Sequence, residues 1–183
     1  MELAARIGTM TGNSEDAMYK ELYYNLCESF TSNSLAEEIV IDAHGKILRS
    51  YFIYGNAKMN NGVKKITVIN ATSINTSFRG SGGTLEEVVV EGSGSLGFAY
   101  AFYDAATIKT IRIKGFNSLI QGNISSLVRT NALNDIFFDS IPMSVINTES
   151  FITGSGIAEG VTVHCSDGSF VVGAASTEEG VVV

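Results

Sequence analysis

The sequence predicts an α/β solenoid of about five coils, with a short parallel sheet along one wall and an N-terminal helical cap. Three observations predict this fold. A strand-like pattern recurs every 22–25 residues, a large apolar residue precedes most copies at a nearly fixed distance, and an amphipathic segment precedes the repeats. A unit this short cannot bury its own apolar face, whereas stacked units share one continuous core.

Each copy of the pattern begins with an aliphatic residue, continues with two mostly polar residues, and ends with two apolar residues that flank a variable one. The copies are Val63-Lys-Lys-Ile66-Thr-Val68, Leu85-Glu-Glu-Val88-Val-Val90, Ile108-Lys-Thr-Ile111-Arg-Ile113, Leu133-Asn-Asp-Ile136-Phe-Phe138 and, with one extra residue, Ile157-Ala-Glu-Gly-Val161-Thr-Val163. Their first aliphatic residues are spaced by 22, 23, 25 and 24 residues. Period-two alternation is typical of a strand with one buried face, and crossovers of this length favour parallel pairing.

A large apolar residue, usually after a small one, lies six residues before most copies of the pattern. The pairs are Ala101-Phe102, Ser126-Leu127 and Ser150-Phe151, while Ser77-Phe78 lies seven residues ahead and only Ala57 holds this place in the first copy. We expect these apolar residues to lie on a helical turn or short helix and to close the core from the wall opposite the strands.

An N-terminal segment, residues 1–34, differs from the repeats. Ser14 precedes two acidic residues, as an N-cap does, and apolar residues then recur every four positions at Met18, Leu22, Leu26 and Phe30. This pattern predicts an amphipathic helix of about four turns. It either caps the first coil or docks to a larger assembly.

Three further segments complete the predicted organisation. Residues 35–62 contain two apolar runs around His44-Gly45 and are interpreted as a hairpin or as degenerate coils. Residues 63–170 form the repeats. The tail, residues 171–183, ends in three valines and either caps the last coil or pairs with another chain.

Composition excludes several classes of protein. A chain that is 45% hydrophobic and 17% charged is not disordered overall. A net charge of −7 without a basic stripe argues against a nucleic-acid partner. Cys27 and Cys165 are too few for a disulfide scaffold and are expected to be free thiols. No signal peptide or membrane-spanning run is visible, so we expect no membrane insertion.

Catalytic and cofactor sites are not expected. His164 and Cys165 are adjacent, so on a strand they point to opposite faces, and no metal-ligand spacing occurs. The glycine-rich stretches 80–83 and 92–97 lack nucleotide-loop motifs and are interpreted as connectors between coils. A sugar-hydrolysing carboxylate pair would have to come from Asp104, Asp135, Asp139 and Asp167, whose spacing the repeat period already explains.

The outward residues of the strands form the candidate binding surface. With coils stacked about 4.8 Å apart, one column would hold Ile69, Glu91, Lys114, Asp139 and His164, and the next Thr67, Val89, Arg112, Phe137 and Thr162. The first column alternates in sign, and the second places exposed Val and Phe beside Arg. This pattern indicates either a recognition patch or a ladder that only stabilises the sheet. The hypothetical binding residues are Val89, Glu91, Arg112, Lys114, Phe137 and Asp139, with Arg112 and Phe137 expected to contact a partner.

Two stretches carry a family resemblance. The stretch Ala101-Phe102-Tyr-Asp-Ala105-Ala-Thr-Ile108-Lys-Thr-Ile111-Arg-Ile113 and the stretch Ile141-Pro142-Met-Ser144-Val145 before Ser150-Phe151 follow a known order. That order is Ala-Phe, a small residue, Leu, Ile-x-Ile-Pro and Ser-Val. The chain resembles the BspA-like leucine-rich repeats over roughly residues 63–165. The ending Val161-Thr-Val163-His164-Cys165-Ser-Asp167-Gly168 resembles that of small leaderless members.

The resemblance implies a function in binding rather than catalysis. Large members of the family are bacterial surface proteins that bind host or bacterial partners, whereas many small leaderless members are encoded by gut bacteria and their phages. We therefore expect a homo-oligomer or larger assembly, without cofactor, in a phage virion, that recognises a protein or cell-surface ligand. The alternatives are a bacterial surface or secreted adhesin of the same family and a carbohydrate-active β-helix.

Overall fold

A seven-stranded sheet forms one wall of the protein in the computed structural model, which describes residues 37–48 and 62–173. In chain order the strands are β1 (Glu38–Asp42), β2 (Lys65–Ile69), β3 (Glu87–Gly97), β4 (Thr110–Ile120), β5 (Asp135–Phe138), β6 (Thr162–Cys165) and β7 (Gly168–Val171). Neighbours from β1 to β6 are parallel, and β7 folds back antiparallel on β6. Because spatial order equals chain order, each crossover completes one turn, and the chain is a β-solenoid of about five turns.

The core consists of residues in matched positions on successive strands. Two columns point inward from the sheet: Ile39, Ile66, Val88, Ile111, Ile136 and Val163, and next to them Ile41, Val68, Val90, Ile113 and Phe138. All eleven side chains are buried. The predicted solenoid with a parallel sheet is therefore confirmed, and the alternation in the sequence explains it, since period two puts every second side chain in the core.

Strand β1 belongs to the solenoid. It pairs in parallel with β2 from Glu38↔Lys65 to Asp42↔Ile69, as a first coil does. The second apolar run of this region, Tyr51-Phe-Ile53, lies outside the described residues, as do Ala57, the predicted N-terminal helix and the chain after residue 173.

Strands β3 and β4 are longer than the repeat pattern predicts. Each spans 11 residues, and their pairing continues past irregularities at Glu91/Gly94 and Gly94/Ser95. The stretch 92–97, expected to be a connector, is therefore part of a strand, and that expectation was wrong. Glycine is needed at position 92, because a Cβ there would overlap the buried ring of Phe116 in the next coil.

Tandem turns form the wall that carries the upstream apolar residues, and we call this wall the turn wall. In the coil begun by β2, the amides of Ser77, Arg79 and Ser81 donate to carbonyls three residues back. The amides that alternate with these, those of Thr76, Phe78 and Gly80, donate to carbonyls of the next coil at 2.8–3.0 Å. The coil begun by β3 repeats this alternation. We call this alternating series of hydrogen bonds the ladder. It satisfies the backbone N–H and C=O groups without a helix, so the helical turn expected here is absent from these coils.

Left-handed residues recur every fourth position along the turn wall. One column holds Thr76, Tyr100 and Ser125, with φ of 57°, 52° and 45°, and the other holds Gly80, Asp104 and Arg129, with φ of 70°, 62° and 60°. These residues occupy equivalent places in the ladder, since the amides of Thr76, Tyr100 and Ser125 all donate to the following coil. Five of the six are not glycine, so the wall holds a backbone conformation that L-residues adopt at a cost.

The upstream apolar residues close the core as expected. Phe78, Phe102 and Leu127 are fully buried and Phe151 is 7% exposed. The rings of Phe78 and Phe102 stack with centroids 5.2 Å apart, and Phe138 meets Phe151 edge-on at 6.0 Å. The small residue before each Phe or Leu is needed for packing in three coils, since Ser77, Ala101 and Ser126 are also fully buried.

Two short helices lie in the last coil, α1 (Met143–Ile146) and α2 (Glu149–Ser155). The described residues contain no other helix. Thr148 caps α2 by accepting from the Phe151 amide at 3.1 Å, and Gly156 ends it at φ 70°. Neither is long and apolar enough to cross a membrane, and this holds for every helix in the part of the chain that the structure describes.

Two serines on the turn wall give a matched stability prediction. The Ser77 hydroxyl donates to the Leu48 carbonyl at 3.0 Å. Ser81 is only 2% exposed, and its hydroxyl has no hydrogen-bond partner among the described residues. We expect Ser77→Ala to lower the free energy of unfolding by about 1–2 kcal/mol and Ser81→Ala to raise it by up to about 1 kcal/mol. Urea denaturation of both variants checks the sign, and equal losses in the two would contradict the assigned hydrogen bonds.

Candidate binding surface on the outer sheet face

The outer face of the sheet carries the residues proposed from the sequence. Parallel register places Val89, Arg112 and Phe137 in one column and Glu91 beside Lys114 in the next. Asp139 directly follows β5, and its amide donates to the Ile113 carbonyl at 3.0 Å, which places it at the end of the second column. The two columns run across the middle coils of the solenoid.

The last member of each column differs from the expectation. His164 pairs with Phe137 rather than lying beside Asp139, and Thr162 pairs with Asp135 rather than with Phe137. The repeat pattern in the sequence places Val161 at the position of Ile136. In the structure Val163 takes that position, and Val161 is buried just before the strand. A longer crossover, with α1 and α2, shifts the strand by two residues, and a shift of two keeps the alternation intact.

Three planar side chains stack along the first column. The Arg112 guanidinium carbon lies 3.9 Å from the centroid of the Phe137 ring. On the following coil the His164 ring lies parallel to Phe137, with centroids 4.2 Å apart and an interplanar angle of 6°. In-register parallel strands repeat about every 4.8 Å, so planar groups in one column come to stacking distance without strain.

Carboxylates hold both ends of this stack. Arg112 Nη1 donates to Asp139 at 3.2 and 3.3 Å, and His164 Nε2 lies 3.0 Å from Asp135 Oδ1. Arg112 and His164 thus cover the two faces of the Phe137 ring. Their own side chains remain partly exposed, 32% for Arg112 and 34% for His164. The stack presents ring edges and charged groups to solvent rather than an open ring face.

Two further pairs of opposite charge on this face join neighbouring strands. Lys114 Nζ lies 2.8 Å from Glu91, and Lys65 Nζ lies 3.1 Å from Glu38. The hydrogen bond to Glu38 raises the pKa of Lys65. The predicted alternation of sign is present between Glu91 and Lys114, but Asp139 bonds to Arg112 across the columns. Half-exposed pairs of this kind contribute about 0–1 kcal/mol each.

Val89 does not belong to the exposed surface. The sequence predicted an exposed valine beside Arg112, but Val89 is 4% exposed. It lies between Thr67 and Arg112 in the register, on a strand in the middle of the sheet with a neighbouring strand on each side. We therefore define the sheet-face patch as Glu91, Arg112, Lys114, Phe137, Asp139 and His164. The sequence placed His164 in the column of Asp139 and left it out of the binding residues, because the coil length changes before it.

The side chains considered for catalysis are dispersed. Asp104 is exposed on the turn wall, Asp167 lies in the β6–β7 turn and accepts from the Met143 amide, and Asp135 and Asp139 each hold one end of the stack. His44 follows β1, and its amide donates to Asp42 at 2.8 Å, a bond that lowers the pKa of Asp42. Within residues 37–48 and 62–173 no group of three His, Cys, Asp or Glu side chains could hold a metal ion.

Cys165 provides a reactivity prediction. Burial, and secondarily the charge of Asp167, raise the pKa of its thiol to about 11. At pH 8 only about one thiol in a thousand is then ionised, so we expect alkylation about two orders of magnitude slower than for an unfolded chain. The Cys27→Ser variant, in which Cys165 is the remaining thiol, allows the rate to be measured with iodoacetamide. The same variant in urea is the control, and equal rates in both conditions would contradict a protected thiol.

Comparison with known proteins does not add to this geometry. No family model, curated protein or solved structure shows a significant match to the chain.

Proposed function

We propose that the chain is a non-enzymatic binding or structural module of irregular leucine-rich repeats, which uses its sheet-face patch to recognise a protein or cell-surface partner. In this proposal it acts as a homo-oligomer or part of a larger assembly in a phage virion, and a second copy of the chain is one protein partner of the patch. It needs no cofactor and no metal.

The stack of Arg112, Phe137 and His164 carries the proposal. Arginine and aromatic residues are enriched in protein interfaces, and the few residues that contribute most binding energy cluster near the centre of a patch. Here they are held in one geometry by Asp139 and Asp135 on a sheet whose register fixes their spacing. Side chains that are already ordered lose little entropy on binding, which favours recognition over a purely structural ladder.

The repeat type is supported by the turn wall. The pair Ala101-Phe102, which carries the resemblance, is fully buried, as is the equivalent pair Ser126-Leu127 of the next coil. Each of the three coils from β2 to β5 spans 22–25 residues. The location in a virion rests on the resemblance to small leaderless members of the family. A bacterial surface or secreted adhesin with the same patch is the alternative, and the neighbouring genes, capsid and tail genes or an export system, distinguish the two.

A carbohydrate-active β-helix is a second candidate, because the coils begun by β2, β3 and β4 turn through tandem turns rather than helices. Two observations weigh against it. Asp135 and Asp139 are engaged by the stack, and Phe137 has no open face on which a sugar ring could lie. Release of reducing ends from a polysaccharide by the purified chain would favour this candidate over the binding module.

Hydroxyl-radical footprinting tests which wall the assembly covers. We expect Phe137 and His164 to lose reactivity between dilute and concentrated protein, because association through the sheet-face patch would bury them. Ile47 and Ile120, which are 65% and 53% exposed and lie outside this patch, are the internal controls and should not change. Unchanged Phe137 and His164 in a sample that has associated would show that a different surface mediates assembly.

A further inference from the structure

A second group of aromatic and cationic side chains lies on the turn wall. Arg79, Tyr103 and Arg129 come from three successive coils, and the two guanidinium carbons lie 4.9 and 5.9 Å from the centroid of the Tyr103 ring. Tyr100, 38% exposed, adds a tilted ring 6.2 Å from that of Tyr103. We call these four residues the turn-wall patch.

The backbone holds two of these side chains in an unfavourable conformation. Tyr100 and Arg129 have φ of 52° and 60°, a region that costs a bulky L-residue about 1–2 kcal/mol. Gly80 occupies the place equivalent to Arg129 two coils earlier, so glycine is compatible with the ladder there. The left-handed backbone of Tyr100 and Arg129 sets the direction in which their side chains leave the turn wall.

The ladder makes the patch rigid. The Gly80 amide donates to the Tyr103 carbonyl at 2.8 Å, the Tyr100 amide to the Ile124 carbonyl at 3.0 Å, and the Asp104 amide to the Val128 carbonyl at 2.8 Å. These bonds tie the three contributing coils together directly beneath the side chains. The spacing of the backbone positions that carry these side chains is therefore set before any partner binds.

Arg129 differs electrostatically from the cations of the sheet. Five of them, Lys64, Lys65, Lys109, Arg112 and Lys114, lie within 3.3 Å of a carboxylate oxygen. Arg129 is exposed, and among the described residues it makes no ion pair and no side-chain hydrogen bond. A guanidinium packed against a ring keeps its N–H donors available in one plane, the arrangement that binds a carboxylate through two hydrogen bonds.

We propose that the turn-wall patch binds Asp or Glu side chains of an acidic protein segment, with Arg129 as the main donor and Tyr100 and Tyr103 as the apolar floor. Tyrosine and arginine are enriched in protein interfaces, which suits this partner. A long polyanion suits it less, since a patch of this size neutralises few of its charges. This binding surface is separate from the sheet-face patch and does not depend on it.

An NMR titration with a short capped peptide of alternating Asp and Ser tests the proposal. We expect saturable shifts confined to Tyr100, Tyr103 and their neighbours, and none with the matching peptide of Asn and Ser. Arg129→Gln should weaken the binding about tenfold, as expected for loss of a charge-assisted bidentate contact. Lys109→Gln, which removes the same unit charge from an exposed lysine paired with Glu86, should leave it unchanged. Unchanged backbone spectra elsewhere verify that both variants are folded.

Four outcomes would overturn the proposal. These are no saturable shift at millimolar peptide, equal binding of the Asn peptide, equal weakening by Lys109→Gln, and tighter binding of a uronic-acid oligosaccharide than of the Asp peptide. The last would assign the patch to an acidic carbohydrate, and equal weakening by both variants would reduce the effect to net charge.

Discussion

Phe102→Ala is expected to lower the free energy of unfolding by about 3–5 kcal/mol, a large part of the stability of a domain this size. Phe102 is fully buried, stacks on Phe78 of the preceding coil and contacts Phe98 at a centroid distance of 5.7 Å. Its removal leaves a cavity in the middle of the solenoid, where each coil is stabilised only by its neighbours. Urea denaturation followed by circular dichroism measures the loss.

Phe137→Ala is the matched control, since it removes the same ring from the outer face. It loses contacts with Arg112 and His164 but leaves no internal cavity, so we expect a loss of about 1 kcal/mol. Losses of equal size in the two variants would contradict the assignment of Phe102 to the core and Phe137 to the surface.

Gly115→Ala is expected to cost about 2–5 kcal/mol. Gly115 has φ of 78°, and a Cβ there would overlap the carbonyl oxygen of Gly92 in the preceding coil. Because the obstacle is backbone rather than a flexible side chain, strands β3 and β4 would have to separate at their bend. The expected loss therefore combines the left-handed conformation with the steric overlap.

Gly94→Ala separates these two contributions. Gly94 has a similar φ of 75°, but no other atom lies within 4 Å of the place where an alanine methyl would sit, so only the conformational cost, about 1 kcal/mol, should appear. If Gly94→Ala were as destabilising as Gly115→Ala, the close approach of the two strands would not be the cause. Thermal denaturation of both variants provides the comparison.

The sheet could be predicted from the sequence because its signal is local. Alternation such as Ile111-Arg-Ile113 decides which side chains enter the core, and a nearly constant interval between copies decides which strands are neighbours. The buried position of Phe102 follows from the same period, since a residue at a fixed offset from each strand reaches the same place in each coil.

The turn wall could not be predicted in the same way. Tandem turns with left-handed residues at Tyr100 and Asp104 are stabilised by hydrogen bonds to the next coil, which depend on neighbours that only the folded structure brings together. Sequence propensity favours glycine or asparagine at such positions, so Tyr100 gives no local sign of its conformation. The turn-wall patch was missed for this reason.

The site was predicted in part. The adjacency of Arg112 and Phe137 follows from the period, but the place of His164 depends on the length of a crossover whose helices were not predicted. Val89 was expected on the surface because alternation gives the direction of a side chain and not its exposure, which also depends on the neighbours that the folded sheet brings around it.

The mass of the protein in solution, measured by light scattering over a concentration series, tests most directly whether the sheet-face patch mediates assembly. We expect the wild type and the Lys109→Glu variant to form a defined oligomer of the 19.5 kDa chain. We expect the double variant Arg112→Glu/Phe137→Ser to be a monomer. A wild type that remains monomeric at every concentration, or a double variant that still forms the oligomer, would contradict it.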